Sequence, residues 1–243
     1  MNYITTITSL IVFFLLVTLI PCQSAAQHDA TRANLDNLVR GGAVITAPIR
    51  SFGVDGTPHF NDSWLMTDVT LSNGQVLENV PAKYNSYIDA LEIINRADTL
   101  QLSEVLVRGF EMTMPGGQTV KFRNRVANTS DFDQNAYLQV LFEGEQSGVF
   151  KRHTKVVREA RATGSGYGVT ERAASVEARE MLFFKTPEGE FEQVRLRERS
   201  ILRLFGDYRS EMRDFARSQN LDFRSERDFV LMVEHFDSVL QSS

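Results

Sequence analysis

The chain has 243 residues, a formal net charge of −5 at neutral pH and a single cysteine. A mildly acidic chain lacks the broad basic surface that nucleic acids require, so we do not expect a nucleic-acid partner. One cysteine cannot form an intramolecular disulfide, so a hydrophobic core has to hold the fold, and this length is sufficient for one or two cores.

The N-terminal residues predict a secretory signal peptide over residues 1–26. An apolar run at residues 10–17 is followed by Pro21 and by the small residues 24–26. Such a run is typical of a signal peptide, and it is shorter than the about 20 apolar residues that span a membrane. No lysine or arginine precedes it. We expect an exported protein, with an uncleaved anchor as the alternative.

Cys22 lies inside this segment, and two outcomes are open for it. Cleavage near Ala26 would remove it, whereas processing just before it would leave a lipid-bearing cysteine at the N-terminus. The residues before Cys22 match a lipoprotein signal poorly, because Pro21 stands where a small residue is expected. We expect membrane association only if Cys22 is lipidated.

A polar segment, residues 27–50, leads from the signal peptide into a predicted β domain over residues 51–198. Within the polar segment, residues 31–40 have the apolar spacing of a short helix, which Gly41 and Gly42 would end. Beyond residue 50 the hydrophobic pattern changes to a period of two residues, which indicates β-strands.

The clearest hairpin of the β domain combines alternating β-formers at residues 64–71 with a return strand over residues 75–83. Between them, Asn73-Gly74 predicts a two-residue turn, since both residues tolerate a positive φ. Further turn signals stand at residues 114–117, 143–145 and 186–189. Strands at this spacing, without helices between them, predict an antiparallel β-meander that curls into a sandwich or open barrel.

Two segments depart from the strand pattern. Residues 162–177 are rich in glycine and serine and predict a flexible loop. In residues 199–243 the apolar residues recur with a period of 3.6, which predicts two or three short helices. We expect these helices to form a tail that packs on the β domain. The expected helix caps are Ser200, Asp207 and Ser225. The last helix carries an apolar stripe at Phe229, Val233, Phe236 and Leu240. The predicted fold class is mainly β with an α tail (α+β).

Two basic stretches differ in their surroundings. Residues 151–161 contain five cations and could contact an anionic lipid or glycan. The arginine-rich residues 195–227 are interleaved with acidic residues, which is typical of a solvated, ion-paired surface.

Five residues are candidates for ligand binding. His59 lies near Asp55, Asp62 and Trp64 in a loop that contains glycine and proline, and these residues form the best small polar cluster. Tyr84 and Tyr87 could stack on sugar rings together with Trp64 if they share a sheet face, although core packing is the alternative. We recognise no catalytic constellation, metal-ligand spacing or cofactor motif in the chain, so no catalytic residue, metal or cofactor is predicted.

The chain resembles a family of exported Bacteroidota envelope proteins without assigned function. The matching segments are residues 62–74, 79–85, 141–144, 200–207, 220–223 and 226–228. The resemblance covers most of the chain beyond the signal peptide. It implies an envelope location and a β-rich body with a helical tail, and it supplies no catalytic residues.

Two classes of function follow from these patterns. The first is an exported, non-enzymatic structural or binding protein in the periplasm or on the outer-membrane surface, with another envelope protein or a glycan as partner. The alternative is an envelope glycan- or lipid-directed hydrolase whose carboxylates come together only in the fold. A cleft with two close acidic side chains would favour the enzyme. A filled interior with an exposed aromatic or apolar patch would favour binding.

Overall fold

The computed structural model describes residue 33 and residues 44–46, 56–96, 98–102, 104–124, 126, 132, 134–159, 161–163, 170–172 and 174–242. The predicted signal peptide and Cys22 lie outside the described residues, and so does most of the polar segment 27–50. Cleavage, lipidation and the short helix at residues 31–40 therefore stay predictions.

The described chain is a sheet followed by a helical tail. The strands are β1 (Val44–Thr46), β2 (Leu65–Leu71), β3 (Val76–Asn85), β4 (Ala90–Asn95), β5 (Asp98–Leu102), β6 (Val107–Thr113), β7 (Thr119–Arg123), β8 (Leu138–Glu143), β9 (Gly148–Arg158), β10 (Arg161–Thr163), β11 (Thr170–Arg172), β12 (Ser175–Lys185) and β13 (Phe191–Val194). The helices are α1 (Glu198–Leu204), α2 (Arg209–Ser218) and α3 (Glu226–Ser242), with a 3-10 turn at Gly206–Tyr208.

Eleven of these strands form one antiparallel sheet in the order β1-β5-β4-β3-β2-β6-β7-β8-β9-β12-β13. In the described part of the chain the sheet is open, because its edge strands β1 and β13 do not pair with each other. The predicted fold class is confirmed. Two pairings depart from a simple meander, since β1 pairs with β5 and β2 lies between β3 and β6.

The connection between β5 and β6 forces part of the sheet to curl. Three strands separate β5 from β6, so on a flat sheet they would lie about 19 Å apart. The chain from Leu102 to Val107 reaches about 18 Å at most. Curling also brings the rings of Tyr84 in β3 and Phe122 in β7 within 5.1 Å, although three strand spacings separate these strands. We call β2–β7 the curled half.

The curled half encloses one core with the inward side chains of its own strands, together with Tyr137. Strands β8, β9, β12 and β13 form a second half that is covered on both faces. Phe132 and Ala136 pack on one face against Leu138, Phe150 and Phe183. The helices pack on the other face. We therefore call these four strands the covered half.

The helical tail contributes its apolar stripe to the core on that face. Phe229, Val233 and Phe236 are buried with Val149 and Phe184 of the sheet. The ring centroids of Phe184 and Phe236 lie 6.1 Å apart. Among the described residues, no helix is both long and apolar enough to cross a membrane.

Asp237 of α3 ties the tail to the β8–β9 turn. Its carboxylate accepts hydrogen bonds from the backbone N–H groups of Glu145, Gln146 and Ser147, at 3.1, 2.9 and 2.6 Å, and from the Ser147 hydroxyl at 3.0 Å. Burial opposes its charge, but these hydrogen bonds outweigh burial and lower the pKa of Asp237. A Cβ at Gly144 would lie 2.3 Å from the carboxylate, so only glycine permits this approach.

Two local expectations are wrong in the loops. The Asn73-Gly74 turn has a three-residue loop, because Gly74 N donates to Leu71 O at 2.9 Å and the positive φ falls on Gly74 and not on Asn73. In the predicted loop 162–177, Ser175–Lys185 already forms β12 and pairs with β9. β10 and β11 pair with each other and form a ribbon in the same segment.

The predicted helix caps meet different outcomes. Asp228 N donates to Ser225 Oγ at 3.2 Å, so Ser225 caps α3 as expected. Ser200 does not cap α1, which begins at Glu198 after Arg197. Asp207 lies inside the 3-10 turn before α2, because the chain continues from α1 without an extended residue.

Candidate functional site

The curled half presents one face to solvent. In β2, Leu65, Thr67 and Val69 are buried while Met66 and Asp68 are exposed. Side chains two apart share a sheet face, and the register places Met66 beside Pro81 and Lys83 beside Glu92. We call this side of β2–β4, with Trp64, Met66, Lys83 and Glu92, the outer face.

A partly buried cluster of His59, Asn85 and Glu92 borders the outer face. His59 lies in the loop before β2 and forms an isolated bridge with Asn85 of β3. Its Nε2 lies 3.0 Å from Glu92 Oε2, and Asn85 Nδ2 donates to Glu92 Oε1 at 2.9 Å. The other ring nitrogen, Nδ1, lies 3.3 Å from Thr57 Oγ1. The side chains of His59 and Glu92 are 18% and 14% exposed.

These contacts keep Glu92 ionised. Burial opposes the charge, but the hydrogen bonds from His59 and Asn85 and the charges of His59 and Lys83 outweigh it and lower the pKa of Glu92. Both carboxylate oxygens already have partners. Glu92 therefore fixes the position of His59, and its lowered pKa does not suit a general acid.

Trp64 stands beside this cluster, one residue before β2. Lys83 Nζ lies 5.0 Å from the centroid of its ring, within the range of a cation–π contact. The residue remains 36% exposed, and Met66 on the same face is 48% exposed. The outer face thus combines an indole held by a lysine, a flexible apolar side chain and a fixed carboxylate.

The structure separates the predicted site residues. His59 and Trp64 both border the outer face, but the ion-pair partner of His59 is Glu92 and not Asp62, which is exposed in the loop. Tyr87 is 43% exposed in the β3–β4 turn, where its N–H donates to Pro58 O at 3.2 Å.

Tyr84 is a correction to the predicted site. It is 1% exposed and lies in the core of the curled half, and its hydroxyl donates to Asp89 Oδ1 at 2.6 Å. Burial, together with Asp89, raises its pKa well above the ordinary value. The alternation of Val80, Ala82 and Tyr84 against Lys83 carried this signal in the sequence. Tyr84 therefore packs the core and cannot share a face with Trp64.

Sequence reasoning missed Lys83, Asn85 and Glu92. Glu92 lies 33 residues from His59, and no local pattern joins them. The sequence did contain a signal for Lys83, because the predicted two-residue turn at Asn73-Gly74 would pair Trp64 with Lys83. The actual loop shifts the register by one residue, and an irregularity between Thr67 and Val69 shifts it back.

The interior of the curled half is filled. Tyr84, Phe110, Phe122, Leu77, Leu91 and Ile93 are all among its largest fully buried side chains. Among the described residues, no group of three histidine, cysteine or acidic side chains is placed to hold a metal ion. Comparison with protein-family models, curated proteins and solved structures finds no match to this chain.

Proposed function

We propose that this protein is an exported, non-enzymatic binding protein of the cell envelope, in the periplasm or on the outer-membrane surface, and that it binds glycan through the outer face. The observation that carries the proposal is the contrast between the two faces of one sheet. The inner face is filled by aromatic side chains, whereas the outer face presents Trp64 beside Lys83 and Glu92. Export is supported by the apolar run and small residues of 1–26.

The chemistry of the outer face suits a sugar. An exposed indole stacks on the apolar face of a sugar ring. Neighbouring charged groups accept hydrogen bonds from the sugar hydroxyls or donate hydrogen bonds to them. Lys83 contacts the Trp64 ring before a ligand arrives and so favours one orientation of the indole, which reduces the entropy lost on binding. Rigid strands carry Lys83 and Glu92, and Trp64 directly precedes β2, so the face is preorganised.

The hydrolase alternative needs two carboxylates across a cleft. On the outer face, both oxygens of Glu92 are engaged by His59 and Asn85. This arrangement favours a positioning role for Glu92, so binding is the better-supported function.

Trp64 is the only tryptophan of the chain, so its fluorescence reports directly on the outer face. We expect a saturable change in emission when the purified protein is titrated with soluble fragments of envelope polysaccharide. Lys83→Ala should weaken this binding several-fold, whereas Lys121→Ala, an exposed lysine on β7, should leave it unchanged. Emission that no polysaccharide fraction alters, or equal effects of the two substitutions, would refute the proposal.

A second experiment identifies the partner in the cell. A photo-reactive phenylalanine analogue replaces Met66 on the outer face or Val105, which is 57% exposed in the β5–β6 connection. We expect a crosslinked adduct only when the analogue is at position 66. Treatment with polysaccharide-degrading enzymes should remove the crosslinked partner. An adduct that only proteases remove would replace the glycan by an envelope protein.

A further inference from the structure

The fold neutralises the two basic stretches of the chain to different extents. The cations of residues 151–161 were considered for contact with an anionic lipid or glycan, but three of them have acidic partners in the fold. The pairs are Lys151–Glu226 at 2.6 Å, Arg152–Asp89 at 3.8 Å and Arg158–Glu177 at 2.6 Å. The basic stretch of the β domain is thus largely neutralised within the fold.

The arginines at the start of the tail were expected to be ion-paired. Arg213 of α2 does pair with Glu198 at 3.6 Å. The exposed Arg195, Arg197, Arg199 and Arg203 form no ion pair with any described residue. Four guanidinium groups within nine residues of chain therefore lack a counter-charge in the described structure, and an anionic ligand could supply it.

Two of these arginines line a cavity of about 350 Å³ between the end of β13 and α1. Its lining residues are Gln193, Val194, Arg195, Ser200, Arg203 and Leu204. Four of the six offer hydrogen-bond donors, and none is acidic. A neighbouring cavity of about 800 Å³ is lined by Arg197 and Arg224 but also by Glu198 and Asp222, so its charge is mixed.

The smaller cavity has a rigid frame. Ser200 and Arg203 are three residues apart on α1 and therefore lie on one side of the helix. Ile201 and Leu202 between them are buried in the core and anchor the helix. Arg195 lies in the turn that leads into α1, where its carbonyl accepts a hydrogen bond from Arg197 N at 2.7 Å.

We propose that this cavity binds a phosphate group, with Arg195 and Arg203 as the charged donors and Ser200 as a hydroxyl donor. The planar guanidinium forms paired, charge-assisted hydrogen bonds with phosphate oxygens, and two such groups without a carboxylate favour an anionic phosphate over a neutral ligand. The phosphate can belong to a soluble phosphoester or to a lipid headgroup. The site is built from β13 and α1, so it does not depend on the outer face of the curled half.

The test uses inorganic phosphate as the soluble probe and vesicles of phosphatidylglycerol in phosphatidylcholine as the lipid probe. The variant Arg195→Gln/Arg203→Gln removes both charged donors. Its matched control is Arg217→Gln/Arg227→Gln, which changes the net charge equally at exposed arginines of α2 and α3. Calorimetry measures phosphate binding against equal ionic strength of chloride, and co-sedimentation measures vesicle binding.

We expect the unaltered protein and the control to bind phosphate alike, and the cavity variant to bind at least tenfold more weakly. Vesicle binding with the same dependence on the cavity would assign the phosphate to a lipid headgroup. Phosphate binding without vesicle binding would assign it to a soluble ligand. If neither probe binds, or if both double variants weaken binding equally, the proposal is overturned.

Discussion

The curled and covered halves of the sheet bury their apolar side chains in different ways. Strands β2–β7 enclose a core with their own inward side chains, so their outer face needs no covering layer. Strands β8, β9, β12 and β13 have apolar side chains on both faces, and each face is covered by another segment. A sheet that curls around its own core leaves a rigid face free for a ligand, whereas a sheet inside a layered arrangement uses both faces for stability.

The sharpest test of this comparison is the helix layer of the covered half. Phe229→Ala should lower the free energy of unfolding by about 3–5 kcal/mol, because it empties a fully buried site between α3 and the sheet. Leu231→Ala on the exposed side of the same helix is the matched control and should cost less than about 1 kcal/mol. Chemical denaturation measures both. An unchanged stability of Phe229→Ala would mean that the tail is an arm for a partner and not a layer of the fold.

The second test concerns the polar contact between the tail and the turn. Asp237→Ala leaves the N–H groups of Glu145, Gln146 and Ser147 without their acceptor. Each donor that stays buried lowers the free energy of unfolding by about 1–3 kcal/mol. We expect a loss of about 3 kcal/mol or more by denaturant unfolding. Glu234→Ala, an exposed carboxylate on the same helix, should change little. Equal losses in the two variants would show that the contact adds nothing.

The stabilising effect of Asp237 should also depend on pH. Its pKa is lowered in the folded protein, so folding favours the ionised form. The stabilisation is fully present above the ordinary pKa of an aspartate and is lost as the pH falls through the lowered value. The difference between the unaltered protein and Asp237→Ala should therefore shrink only under strongly acidic conditions.

The third test lies where the two halves meet. His153 of β9 packs against Phe60 and Phe122, with ring centroids 4.8 and 5.9 Å away. Burial, assisted by Lys151 and Lys155 and opposed by Glu180, lowers the pKa of His153 to about 4. Folding therefore favours the neutral ring, and stability should fall as the pH drops from about 6.5 towards 4, by a total on the order of 3 kcal/mol.

NMR titration of the imidazole protons measures this pKa, and His153→Gln assigns the signal. In His153→Gln, the loss of stability between pH 6.5 and 4 should be correspondingly smaller. A midpoint near 6.5 for His153 would mean that water reaches the ring and that the junction between the halves is open.

The smallest expected effect belongs to the outer face. Trp64→Ala should cost less than about 1 kcal/mol, because the residue is 36% exposed and its cation–π contact with Lys83 is weak in water. Phe110→Ala, on the inner face of the same half, should cost about 3–5 kcal/mol. Thermal unfolding compares the two. A large loss for Trp64→Ala would make the outer face structural and would weaken the case for a binding surface.

The parts of the fold that the sequence predicts are those with short-range causes. The strands around residues 114–117 and 186–189 follow from local turn signals, and α3 follows from the 3.6 period and the cap at Ser225. The pairing of β2 with β6 is not local, because residues 72–106 of the chain lie between these strands. Tyr84 shares its face of β3 with Val80 and Ala82, so the strand pattern pointed to the core, and Tyr84 was grouped with Trp64 by residue type alone.

The candidate site was predictable only in part for the same reason. Trp64 and His59 stood out by residue type, but the partners that fix them come from strands whose pairing depends on the whole sheet. Glu92 meets His59 because β4 pairs with β3 and the loop before β2 crosses the end of both. No spacing in the chain encodes that crossing.

The contact of Asp237 with the β8–β9 turn also sets an order in time. Its donors and its acceptor are 90 to 92 residues apart, so the turn is made long before the carboxylate that completes it. The residues of the curled core, which end at Tyr137, are all made before this interval begins. The curled half can therefore form first, while the covered half waits for its last helix.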